Sequence, residues 1–136
     1  MALWAVSAHA AAAEPRAQIR GDLDAELRRE LERAVGEVDS APSSRFEARR
    51  RARTALESAQ ALLRSEGYYQ PTLQDDVEGE DKPVAIVTVT PGRRFELGET
   101  KVNWIAPVPD TETATAAVAD IGLKVGDPGR AADILA

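Results

Sequence analysis

The run Val84-Ala85-Ile86-Val87-Thr88-Val89 is apolar on both faces near its centre, a pattern that suits a central strand better than an edge. A central strand commits the chain to a sheet with a neighbour on each side. Two stretches can supply those neighbours. One is the short extended piece Gln18-Ile19-Arg20, broken by Gly21; the other is the aromatic, β-compatible stretch Tyr68-Tyr69-Gln70-Pro71-Thr72-Leu73, turned back by the loop Glu78 to Lys82.

Between the outer strands the periodicity changes from two to about 3.6. Leu23, Leu27, Leu31 and Val35 form one narrow stripe of a helix that Asp22 is placed to cap and Gly36 to end. Asp24 with Arg28, and Arg28 with Glu32, stand four apart, as on a solvated helix face. Ser44 with Glu47 three residues on reads as a capping box, so a second helix is expected from Arg45 to Glu66, stopped by Gly67. Its apolar arc is Ala48, Ala52, Ala55, Leu56, Ala59, Leu62 and Leu63, mostly small side chains that let another backbone come close, the first helix being the expected neighbour. The resulting order is strand, helix, helix, strand, strand, an α+β domain with a helix pair covering one face of a three-stranded sheet. The core is expected to gather Leu23, Leu27, Leu31, Ala52, Leu56, Ala59, Leu63, Val87 and Val89.

Composition bounds the chemistry. The 136 residues include no Cys and a single His, His9, which excludes disulfides and thiolate metal sites and leaves no imidazole for catalysis beyond the first residues. The net charge of −6 disfavours nucleic acid as a partner. No phosphate-binding Gly-rich loop with Lys, no His-Glu-x-x-His and no Gly-x-Ser-x-Gly occurs. The acidic group Asp75, Asp76, Glu78, Glu80 and Asp81 lacks the spacing of a calcium loop and reads as a solvated turn. No catalytic, metal or cofactor residue is therefore assigned.

Residues 1–13 read as the remainder of an export signal: apolar and small residues throughout, with cleavage expected after Ala10 or Ala13. Past Pro91-Gly92 a second unit begins. Phe95-Glu96-Leu97-Gly98 and Lys101-Val102-Asn103-Trp104-Ile105 are strand-like, Trp104 being expected in a core; Thr113 to Ile121 is a helix ended by Gly122, and Arg130 to Ala136 opens another. The segment reads as the start of a second copy of the first domain. The domain reading is thus a leader over 1–13, a first domain over 14–92 and a partial second over 93–136.

Gly67-Tyr68-Tyr69 after the second helix, the strand end Val87-Thr88-Val89-Thr90-Pro91-Gly92 and the following Phe95-Glu96-Leu97-Gly98 together resemble the polypeptide-transport-associated (POTRA) domains of bacterial outer-membrane assembly factors. The first helix and the stretch Gly122-Leu123-Lys124-Val125-Gly126-Asp127-Pro128 are most similar to the TamA-like outer-membrane subunit of the translocation and assembly module. The resemblance implies a non-enzymatic periplasmic arm, on the inner side of the outer membrane. That arm binds client outer-membrane polypeptides and an inner-membrane-anchored partner, and precedes a C-terminal β-barrel. These residues contain none of the repeated alternating strands of about ten residues that a barrel needs. The arm of the general outer-membrane insertase, that of a two-partner secretion transporter, and a small exported ligand-binding α+β domain remain open as alternatives.

Two surfaces are candidates for partners. The strand from Tyr69 to Val77 is expected at the sheet edge, because Pro71 has no N–H to give a ladder, so Tyr69, Thr72, Leu73 and Gln74 are placed to receive an added strand. The same Pro71, Asp75 and Asp76 also fit an edge that is merely protected. The other surface is the face of the second helix carrying Arg50, Arg53 and Arg64, near the basic cluster Arg49-Arg50-Arg51, which reads either as a dock for an acidic partner or lipid phosphates or as a solvated face.

Overall fold

A computed structural model of the protein describes residues 13–99 and 102–134. The expected leader lies outside the described residues apart from residue 13. The elements are β1 (Glu14–Pro15), β2 (Gln18–Arg20), α1 (Ala25–Val35), β3 (Glu37–Val38), α2 (Arg45–Ser65), β4 (Thr72–Glu78), β5 (Val84–Thr90), α3 (Thr111–Ile121) and α4 (Ala131–Ile134). They fall into two compact units, Met1–Gln60 with Leu73–Thr90 and Ala61–Thr72 with Pro91–Ala136.

In the first unit β5 is the central strand, in the order β2-β5-β4, as its two-faced apolar pattern demands. β2 runs parallel to it with Ile19 beside Val87, a pairing that needs the long crossover which α1 and α2 provide. β4 reaches β5 through residues 79–83, a connection short enough only for antiparallel neighbours. Ala85, Val87 and Val89 are buried on one face of β5; on the other Ile86 is buried while Thr88 and Thr90 are exposed. The inner face continues in Ile19 and Val77, and the helices complete the core with Leu27, Leu31 and Val35 from α1 and Ala48, Ala52, Ala55 and Ala59 from α2. The element order strand, helix, helix, strand, strand is the expected one. A two-stranded antiparallel ribbon, β1 with β3, stands beside it, its strands too short to carry a sequence signal.

Several local expectations need correction. Asp24, not Asp22, caps α1, its Oδ1 accepting from Leu27 N at 2.8 Å. Leu23 therefore precedes the helix and is half-buried. Leu56 is also half-buried, because the alanines at 48, 52, 55 and 59 centre the buried face of α2 one position away from it. The capping box forms by half: Ser44 Oγ accepts from Glu47 N, but the Glu47 carboxylate reaches the backbone and hydroxyl of Ser43. Those bonds, with that from Arg51, hold the Glu47 carboxyl down at about 2. Strand β4 begins at Thr72, so Tyr68 and Tyr69 lie ahead of it rather than in it.

In the second unit the last turn of α2 leads into Gly67, whose carbonyl accepts from Phe95 N. Phe95 O accepts from Gly129 N, and Glu96 forms an isolated bridge with Pro128. The Tyr69 ring meets Phe95 edge-on at 5.6 Å, and its hydroxyl donates to Gly129 O at 2.6 Å. Glu66 Oε2 accepts from both Arg94 and Arg130, at 3.0 and 2.9 Å, and Arg94 lies over the Tyr68 ring. The strands expected at 95–98 and 101–105 do not form among the described residues; Glu96 makes one bridge and residues 102–105 are irregular. Trp104 is 39% exposed rather than in a core, since an extended segment with no neighbouring strand has nothing to bury it. α3 starts at Thr111, two residues early, because Asp110 caps it by accepting from Thr113 N. α1 and α3 are both eleven residues long, each with an Asp cap before it and a Gly after it. α3 and α4 begin 86 residues after α1 and α2 respectively (25 to 111, 45 to 131).

Candidate functional site

The sheet of the first unit has two edges, β2 and β4, and they are finished differently. On β4 the side chains alternate: Leu73, Asp75 and Val77 turn toward the core face, and Thr72, Gln74, Asp76 and Glu78 are exposed. Leu73 and Asp75 are only half-buried, in contrast to Val77. The Asp75 carboxylate faces Arg53 of α2 at 3.5 Å, an ion pair in which Arg53 is 67% exposed and which is therefore weak. Asp76 Oδ1 accepts from the backbone N–H of Val77 at 2.7 Å. On the wet face Arg20 reaches from β2 to Glu78 with two bonds, 2.6 and 2.9 Å, crossing the central strand. That bond holds the Glu78 carboxyl below its ordinary range and raises Arg20.

The β2 edge is held by Arg28, whose Nη1 donates to Ile19 O at 2.8 Å and Nη2 to Gly21 O at 2.9 Å. Sequence reading placed Arg28 in i,i+4 pairs with Asp24 and Glu32; the structure sends it to the backbone of β2 instead. The signal was present but weak, since a cation one turn into a helix that follows a strand directly is within reach of that strand's carbonyls.

Of the residues expected to receive a strand, Thr72, Leu73 and Gln74 are on β4, and Tyr69 is not, its hydroxyl being engaged by Gly129. Arg50, Arg53 and Arg64 are all exposed on α2. The triplet Arg49-Arg50-Arg51 is not a uniform basic patch, because Arg51 turns back to bond Ser40 O and the Glu47 carboxylate. Among the described residues no group of three or more His, Asp or Glu side chains converges on a metal position. Among them, too, no helix is long and apolar enough to cross a membrane. The arrangement offers main-chain donors and acceptors along a strand edge, with a half-buried apolar and an ionic side chain beside them, which is chemistry for holding a polypeptide.

Residues 16–91 match the family model of the POTRA domain, TamA domain 1. No curated protein matches the chain.

Proposed function

The chain belongs to the TamA POTRA domain 1 family, and from that premise we propose that it is a periplasmic interaction module of an outer-membrane assembly factor that holds client polypeptides in extended form along β4. The observation that carries this reading is the position of β4 at the rim of the sheet, with Thr72, Leu73 and Gln74 at its start. An added strand takes its affinity from backbone hydrogen bonds, so one edge serves many clients. On this reading the arm does no chemistry, needs no cofactor, and also meets an inner-membrane-anchored partner. It is exported by the leader over residues 1–13 and stands on the periplasmic side of the outer membrane, ahead of a C-terminal barrel. Residues 93–136 open a second copy of the domain, a reading supported by the shared 86-residue spacing of both helix pairs.

The test is Leu73→Pro in the full-length protein, shown by circular dichroism to be folded, with crosslinking to unfolded outer-membrane polypeptide measured beside the wild type. Loss of crosslinks supports the edge. Undiminished crosslinking in the folded variant removes β4 from the mechanism, and sensitivity to Arg50→Glu or Arg53→Glu instead would assign binding to the helix.

A further inference from the structure

Among the described residues six arginines are half-buried: Arg16, Arg28, Arg45, Arg51, Arg94 and Arg130. Five of them hold an acceptor. Arg28 takes the carbonyls of Ile19 and Gly21, Arg45 that of Gly79, Arg51 that of Ser40 with the Glu47 carboxylate, and Arg94 and Arg130 share the Glu66 carboxylate. The Arg16 guanidinium alone finds no acceptor among the described residues. A guanidinium cannot shed its charge, so its five donors, held partly out of water, are an unmet demand for an anion.

The backbone fixes where that guanidinium stands. Glu14 and Pro15 pair with Val38 and Glu37, and Arg16 N donates to Gly36 O at 3.0 Å, which carries the β1–β3 ribbon one residue further. On α2, Glu47, Arg50, Arg51 and Thr54 are spaced i, i+3, i+4 and i+7 and so share one face. That face, Val38 and Arg16 line a cleft of about 300 Å³. Arg50 is exposed there and, like Arg16, has no acceptor among the described residues. The other polar groups are engaged: Glu47 with Arg51 and Ser43, and the Thr54 hydroxyl with Arg50 O at 3.1 Å. Three arginines against one carboxylate leave an excess of two positive charges, in a chain whose net charge is −6. A lone carboxylate would balance one of the two free guanidiniums. A phosphomonoester, with nearly two negative charges and three acceptor oxygens, balances both. We infer that Arg16 and Arg50 form an anion site between the β1–β3 ribbon and α2 that takes the phosphate of a phosphomonoester, with Arg51 pinned beside them by Ser40 and Glu47. The site does not depend on polypeptide holding at β4.

Inorganic phosphate titrated into the full chain tests it, with backbone amides and arginine Nε–Hε groups followed by NMR at constant ionic strength. Saturable shifts are expected at Arg16 and Arg50, and acetate is expected to bind roughly tenfold more weakly than phosphate. Arg16→Gln, and Arg50→Gln at an exposed helix position where folding is not at stake, should each weaken phosphate binding roughly tenfold. Arg53→Gln, also on α2 but outside the cleft, should leave it unchanged. Vesicles of phosphatidylcholine with phosphatidic acid, whose headgroup is a phosphomonoester, separate the sources. Sedimentation with them that is lost in Arg16→Gln assigns the phosphate to a lipid; free phosphate bound without vesicle binding assigns it to a soluble ligand, and either result keeps the site. Shifts that do not saturate, that spread equally over Arg33, Arg49 and Arg64, or that survive both Arg16→Gln and Arg50→Gln would overturn the inference, as would acetate binding as tightly as phosphate.

Discussion

Gly21 leaves no room for a side chain: its φ is +131°, and a Cβ there would sit 2.1 Å from the carbonyl oxygen of Val89. Gly21→Ala must therefore move the end of β2 off the central strand, and a loss of about 2–4 kcal/mol is expected in a denaturant melt. The alanines of α2 are as constrained. Ala52 is wholly buried, so Ala52→Asp places an uncompensated carboxylate in the core and should cost about 3 kcal/mol or more, while Leu56→Asp, at a half-buried position, should cost clearly less. The reverse order in thermal melts would mean that the buried face of α2 is misplaced. Glu47 gives a pH dependence. Its carboxyl lies near 2 when folded against an ordinary 4.5, so its contribution to stability is complete above about pH 4.5 and is lost as the pH falls toward 2. Glu47→Gln is expected to flatten the stability profile over that window, read from urea midpoints at successive pH values.

At the scale of elements, caps decide where helices begin, and they show which signals the sequence carried. Asp24→Ala removes the acceptor of Leu27 N–H and is expected to cost about 1 kcal/mol, whereas Asp22→Ala should leave stability unchanged. Two aspartates two residues apart look alike in sequence; only the backbone conformation at Asp24 distinguishes them. The central strand was legible because both its faces are apolar, and the second helix because alanine at three- and four-residue spacing has one buried face. Tyr68 and Tyr69 misled because aromatic residues favour strands, yet here they follow Gly67 into contacts with Arg94 and Phe95. Pro71 points to β4 being an edge strand, although it stands one residue before that strand begins. The roles of Arg28 and Asp76 were not legible, since each depends on a backbone group brought near by the fold: the carbonyl of Ile19 nine residues away, or the amide next in the chain held at the required angle. The alternation of Trp104 with Val102 suggests a core position, but that pattern means burial only where a sheet exists to receive it.

For the molecule as a whole, residues 16–91 carry the family match, and the sheet within them presents β2 and β4 as its two edges. The central proposal is that an extended polypeptide adds to β4. The most direct measurement is backbone amide exchange of the full chain with and without unfolded outer-membrane polypeptide, read residue by residue. Slowed exchange within Thr72–Glu78, with Gln18–Arg20 unchanged, is the expected result; protection confined to α2, or none on the sheet while the polypeptide is bound, would contradict it.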